Sequence, residues 1–269
     1  VYPWLKETSM RRIFSALTIA LVLTAGVGAI TYGTPDGNAH PNVGLLIARI
    51  DGVYYGICSG TLVAPDVFLT AGHCTAAIED LEADTFVTFT SAPPYSVATF
   101  LPGTPHTHPD FGTRFPNTAD IGVVVLDTPV LTLTPARIPG EGFLDDLSTR
   151  RGLNDVYFTH VGYGTQSIRP VFVSQIVRFQ GVSSLINLVS ASTDGFNLQT
   201  TANPGRGRSG ICFGDSGGPA FFENTDIIAG IHSFVANLNC KGVAYSYRAD
   251  SATSLGFLAG FGVTPSNRP

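Results

Sequence analysis

The chain is poor in charge. Only 13% of its 269 residues are acidic or basic, and they sum to −5. No block of Lys or Arg occurs, so a nucleic-acid partner lacks its electrostatic footprint. Methionine occurs once, at Met10, and cysteine only four times. No repeat of fixed short period is visible, and beyond residue 29 no apolar run is long enough to span a membrane. What is plentiful is glycine (30) and proline (18), with Val, Thr and Phe in short runs between them. That mixture reads as many short strands joined by turns. With 44% apolar residues the chain can bury a sizeable core, as one large domain or two small ones.

The first 29 residues read as a targeting segment. Met10 is followed by Arg11-Arg12, the apolar run Ile13 to Val27, and small residues at Val27-Gly28-Ala29. A positive start, a short apolar stretch and small residues at the end predict a secretory signal peptide cut after Ala29. Residues 1–9 then precede the true start at Met10, and Arg11-Arg12-Ile13-Phe14 half-matches a twin-arginine export signal. Cleavage removes Lys6, Glu7, Arg11 and Arg12 and moves the net charge to −7. The expected product is secreted, extracellular or periplasmic, with no membrane association. Four cysteines in an exported chain predict two disulfides, with three pairings open.

Strands are predicted at Val43–Ile50, Tyr54–Val63, Val67–Thr70, Phe86–Thr90, Val97–Leu101 and Ile121–Leu126. Thr132–Leu153 reads as a connector. A second set follows at Val156–Val161, Val171–Phe179, Phe196–Thr200, Ala220–Phe222, Ile227–Phe234 and Val243–Tyr247. Asp250–Phe261 has an N-cap residue and apolar residues at helical spacing. Two sets of about six strands and a terminal helix suggest two β-barrels side by side.

Gly214-Asp215-Ser216-Gly217-Gly218-Pro219 is the most informative stretch. A serine hydroxyl needs a base to take its proton before it attacks. Flanking glycines permit a tight turn and free the N–H groups of Gly214 and Ser216 to stabilise an oxyanion. A base is available in Leu69-Thr70-Ala71-Gly72-His73-Cys74, where an apolar strand ends at a histidine. An acid heads a buried strand in Ala119-Asp120-Ile121-Gly122, where a carboxylate is costly unless a partner compensates it. His73, Asp120 and Ser216 together supply general base, orienter and nucleophile.

Those three segments, 47 and 96 residues apart, resemble the signatures of the chymotrypsin/trypsin family of serine peptidases. The likeness spans residues 30–262 and suggests a bacterial-type secreted member. Val161-Gly162-Tyr163-Gly164 resembles that family's Gly-Trp-Gly segment, with Tyr163 for tryptophan. The resemblance implies an all-β fold of two packed six-stranded antiparallel Greek-key barrels with a short C-terminal helix. The first barrel would occupy residues 30–140, with His73 and Asp120, and the second 141–269, with Ser216. It further implies disulfides Cys58–Cys74 and Cys212–Cys240, each contributing about 2–4 kcal/mol. A monomeric enzyme is implied, with protein or peptide substrates, protein inhibitors as further partners, and no metal or cofactor.

In that family a new N-terminal amine pairs with the aspartate before the nucleophile. Cleavage after Ala29 would expose Ile30, 43 residues before His73, so Ile30 is expected to pair with Asp215 without a separate propeptide. By resemblance Gly210 forms the pocket base, Ile211 and Phe213 stand near it, Ser233-Phe234-Val235 pairs with substrate, and Gly242 lines the far wall. A non-acidic Gly210 disfavours cleavage after Lys or Arg, and Val235 favours small or medium apolar side chains. His232 reads first as a structural histidine. The alternative is a glutamate preference, since glutamate-specific bacterial relatives carry a histidine there, although they add pocket hydroxyls that Ile211 and Val235 do not offer. The scaffold also suits a non-catalytic binding protein, because fold does not guarantee function, and the acyl-transfer machinery suits an esterase.

Lesser features read as structural. His106 and His108 are a weak metal candidate, Asp110 a rival acid in a Pro/Gly-rich loop, and Glu79, Asp80, Glu82 and Asp84 a solvated loop. Arg206 and Arg208 are expected at the surface.

Overall fold

The computed structural model describes residues 30–148, 156–203 and 208–266. The expected leader over residues 1–29 and Arg206 lie outside them. Strands β1 (Thr34–Pro35), β2 (Val43–Ile50), β3 (Val53–Ala64), β4 (Val67–Thr70), β5 (Asp84–Thr88), β6 (Leu101–Thr107) and β7 (Gly122–Leu126) come first. Within this set, β2-β3-β4-β7-β6-β5 closes into a barrel. Its inward residues are the apolar ones of the sequence pattern: Leu46, Leu62, Phe68, Val87 and Val123 are all fully buried. Closure matters because it leaves no unpaired strand edge.

The second set is β8 (Tyr157–Gly162), β9 (Phe179–Asn187), β10 (Asn197–Ala202), β11 (Pro219–Phe222), β12 (Ile228–Val235) and β13 (Gly242–Arg248). Its order is β9-β10-β13-β12-β11-β8, and β8 pairs back onto β9 from Tyr157↔Ser184 to Gly162↔Phe179. This closes a second six-stranded antiparallel barrel, so the fold is the chymotrypsin-like one. One buried apolar cluster runs through both barrels, joining Leu62, Phe68 and Ile121 to Val161, Tyr163, Phe221 and Tyr247.

Three helices complete the described residues: α1 (Gly72–Asp80), α2 (Asp145–Ser148) and α3 (Ala252–Ala259). Ser251 caps α3, its side chain accepting from the Ser254 N–H. Phe257 and Phe261 pack on His108 and His106, with ring centroids 5.1 and 5.2 Å apart. Those histidines therefore fasten the terminal helix to the first barrel.

Local readings shift in three places. Val97–Thr99 is a short 3-10 turn, and the strand lies beyond it as β6, which carries Pro102 and Pro105. Proline demotes a strand in sequence reading, but here β5 and β7 both flank and pair with it. Residues 171–178 are irregular, and the strand runs through β9 instead. The acidic run expected as a loop ends α1 and begins β5, where Asp84 pairs with Arg49. Asp110, the rival acid, is exposed, and its N–H donates to Nδ1 of His108.

The N-terminal segment is strapped to the second barrel. Thr31 bridges Gly210, and β1 pairs with β9. Asp36 and Arg178 form an ion pair of 2.8 Å in which both side chains are 0% exposed. The Arg178 guanidinium also donates to the carbonyls of Gly37 and Val43. Asp36 further meets Nδ1 of His40 at 2.5 Å. Burial pushes the Asp36 carboxyl up, but hydrogen bonds with His40 and Arg178 outweigh it and hold it below the usual range.

Candidate active site

The four buried residues of β4 carry the chain into the seam between barrels, and α1 starts two residues later. No side chain of Ala71 caps that helix. Asp120, at the entry to β7, does so from outside. Its Oδ1 accepts from the His73 N–H at 2.9 Å, an unsatisfied donor of the first helical turn. The same carboxylate meets Nδ1 of His73 at 2.9 and 3.1 Å. One acid thus fixes both the backbone and the ring of His73. The hydroxyl of Ser233 donates to its other oxygen, Oδ2.

Asp120 is 4% exposed. Burial pushes its carboxyl up, yet hydrogen bonding and charge attraction from His73, with Ser233 in support, bring it below the usual range. It therefore stays ionised, as an orienter of an imidazolium must.

The 214–218 loop that carries Ser216 is held from every side. The Ser216 carbonyl accepts from the Ser59 N–H at 2.8 Å, and the Gly217 N–H donates to the His232 carbonyl at 2.8 Å. Ser59 contributes twice more: its hydroxyl donates to the Gly214 carbonyl and accepts from the Tyr163 N–H, both at 2.9 Å. The turn needs its glycines. Gly214 and Gly217 have φ of +92° and +80°, and a Cβ at Gly217 would sit 2.1 Å from Thr70 Oγ1.

Asp215 points inward and is 0% exposed. Its carboxylate accepts from the N–H groups of Cys212 and Gly164, each at 2.8 Å, and from that of Ile30. Burial pushes its carboxyl up to about 7 against those three donors. Gly162 and Gly164 leave the room for it, since a Cβ at either would lie 2.4 Å from Asp215.

His73 and Ser216 line one cleft of about 480 Å³ with Ile211, Phe213, Ser233, Phe234 and Val235. Ala236, Asn237 and Leu238 form its outer rim. Phe234 stacks on Tyr245, centroids 4.4 Å apart, which fixes one wall. Both disulfides of the resemblance form: Cys58–Cys74 beside His73, and Cys212–Cys240 across the cleft wall.

Three expected pocket residues stand off the lining. Gly210 is occupied by its bridge to Thr31, with Ala202 against it. Gly242 is an exposed strand residue with φ +92° opposite Ala202. His232 is 0% exposed behind the wall, against His160. Ser59 and His160 escaped sequence reading, because a serine or histidine inside an apolar strand carries no local mark of its partner.

The chain matches the family described as Trypsin over residues 34–250. It belongs to the trypsin family. It is accordingly a serine-type endopeptidase, a hydrolase of peptide bonds. No curated protein matches it in sequence. Its fold is similar to the solved structure of HL collagenase, with TM-score 0.67 and 19% identity over 87% of this chain and 100% of that one.

Proposed function

We propose that this trypsin-family chain is a secreted endopeptidase that cuts after small or medium apolar residues, with Ser216 as nucleophile, His73 as base and Asp120 as its orienter. The observation that carries the reading is the doubly bonded His73–Asp120 pair opening with Ser216 onto one apolar cleft. His73 takes the Ser216 proton as Oγ attacks the peptide carbonyl carbon. Asp120 stabilises the imidazolium, and the N–H groups of Gly214 and Ser216 receive the oxyanion. The imidazolium then protonates the leaving amine as the C–N bond breaks. Water, deprotonated by the same imidazole, releases the acid and frees Ser216.

Ile211, Phe213 and Val235 give the cleft an apolar interior, which favours apolar side chains at the cleavage position. His232 lies outside that interior with both ring nitrogens engaged, which weighs against glutamate. For activation, the Ile30 N–H already at Asp215 supports a role for Ile30 as the new N-terminus. A free amine there would supply the positive charge that the buried carboxylate lacks.

A fluorophosphonate probe tests the nucleophile: folded wild type should label at Ser216, and Ser216→Ala should not. A cleavage profile with Ala, Leu, Phe, Glu and Arg peptides tests the pocket. Preference for Glu or Arg overturns the apolar assignment.

A further inference from the structure

Two histidines of the second barrel take no part in the acyl transfer just described. His160 in β8 and His232 in β12 are both 0% exposed. Nδ1 of His160 lies 2.8 Å from Nε2 of His232. The remaining nitrogen of His232, Nδ1, lies 3.0 Å from the Asp215 carbonyl oxygen. The remaining nitrogen of His160, Nε2, meets the Ser183 hydroxyl in β9.

The proton positions follow from these partners. A carbonyl oxygen only accepts, so His232 carries its proton on Nδ1. Burial pushes His160 down to about 3, and burial together with His160 takes His232 well below the ordinary imidazole range. Both rings are therefore neutral. Nε2 of His232 accepts, so His160 donates from Nδ1, and its own Nε2 accepts from the Ser183 O–H. The result is a one-way chain running Ser183 to His160 to His232 to the Asp215 carbonyl.

That carbonyl belongs to the peptide unit joining Asp215 to Ser216. In a planar trans peptide the C=O and N–H point to opposite edges. A donor holding the oxygen on the barrel side turns the Ser216 N–H away from the barrel interior. The Gly218 N–H, at 2.9 Å, is the second donor to the same oxygen. His232 also grips the loop through its backbone, donating to the Gly218 carbonyl at 2.8 Å and accepting from Gly217. Aligned hydrogen bonds polarise one another. Density drawn onto the Asp215 oxygen makes the Ser216 N–H a stronger donor once negative charge develops in front of it.

We propose that His232, held by His160 and Ser183, is a positioning residue that aims the Ser216 N–H at the oxyanion. The inference rests on Ser216 being the nucleophile. The side chain introduced by His232→Val could fill the space but would leave the Asp215 carbonyl to the Gly218 N–H, without the buried imidazole donor.

Steady-state kinetics on His232→Val, the paired His160→Leu/His232→Val, and Ser216→Ala test the role. A peptide substrate reads turnover. A peptide aldehyde, whose hemiacetal oxygen imitates the oxyanion, reads the donor. His232→Val should lower kcat about 10- to 100-fold, less than or equal to the loss of a whole oxyanion donor. KM should stay within about twofold, and aldehyde affinity should fall in step with kcat. The paired variant removes both partners of the buried hydrogen bond, which protects folding, and should show the same loss. His232→Asn, which keeps a side-chain N–H near the position of Nδ1, should recover part of kcat. Nitrogen-15 NMR of wild type should find both imidazoles as Nδ1–H tautomers.

Unchanged kcat and aldehyde affinity in the folded paired variant overturn the proposal. So does a rise in KM alone, or a His232 protonated on Nε2. An active Ser216→Ala would instead defeat the nucleophile assignment, whereas an inactive one beside a fully active paired variant defeats only the positioning role.

Discussion

The Ile30 N–H donates to the carboxylate of Asp215, across 185 residues of sequence. The acid has two other N–H donors, from Cys212 and Gly164, and burial still pushes it up to about 7. Its position in the centre of the loop proposed to carry the nucleophile makes its charge state matter to Ser216 next door.

A pH-dependent stability difference follows. Unfolded, the Asp215 carboxyl titrates near 3.8; folded, near 7. The folded state binds the proton more tightly, so its stabilising contribution is full below about pH 4 and is lost as pH rises through about 7. A chain extended before Ile30 should therefore lose up to about 4 kcal/mol across that window. A chain beginning at Ile30 has an ammonium at the same carboxylate, which holds it ionised and removes the slope. Urea unfolding of both forms from pH 4 to 8 measures the difference, in which other titrations cancel. Equal slopes would mean that the Ile30 amine does not reach Asp215.

The two groups bonded to Asp120 should differ sharply in consequence. Asp120→Asn leaves an amide where His73 needs an acceptor and a counter-charge, and should reduce kcat about ten-thousand-fold. Ser233→Ala removes a single donor from a carboxylate that His73 already holds in two ways. A loss of about tenfold is expected, the low end for one hydrogen bond to a charged group. Measured kcat values on one substrate decide it; a larger effect from Ser233→Ala would make the serine the main support of the acid.

The Arg178–Asp36 pair predicts a stability pattern. Arg178→Met leaves the Asp36 carboxylate buried with only His40 beside it, and should cost about 3–5 kcal/mol. Arg178→Met/Asp36→Leu removes both charges and should recover most of that loss. Chemical denaturation of the three proteins measures it. The pair straps the segment just after Ile30 to the second barrel, so equal stability of the two variants would mean that other contacts seat that segment.

Much of the candidate site was legible because its residues lie in short, self-marking segments. His73, Asp120 and Ser216 each sit in a short segment whose neighbours mark it, and β4 and β7 read directly as apolar runs. Most strands fell within two residues of their predicted ends for the same reason. Long-range partners were not legible. Ser59 looks like any strand serine, and only the fold carries it to Gly214. Arg178 lies in a stretch that reads as strand, yet its guanidinium is spent on Asp36 and backbone carbonyls. α1 was hidden because its first turn is capped by Asp120 from another element, so no N-cap residue precedes it. His232 was legible as a position but not as a partner, since His160 reaches it only through barrel closure.

Val235 supplies the sharpest handle on specificity. It lies at the end of β12, on the cleft, beside the Phe234 ring that stacks on Tyr245. On the proposed reading of the cleft, its branched side chain occupies space that a larger substrate side chain would need. Val235→Gly should raise kcat/KM for Phe relative to Ala at the cleavage position by roughly tenfold, the range in which apolar pockets discriminate by a few methylene groups. Preference for Glu should not emerge, because the change adds volume and no hydrogen-bond donor. Paired peptides differing only at that residue give the ratio directly. An unchanged Phe-to-Ala ratio would move the specificity determinant away from Val235, leaving Ile211 and Phe213 as the walls that set it.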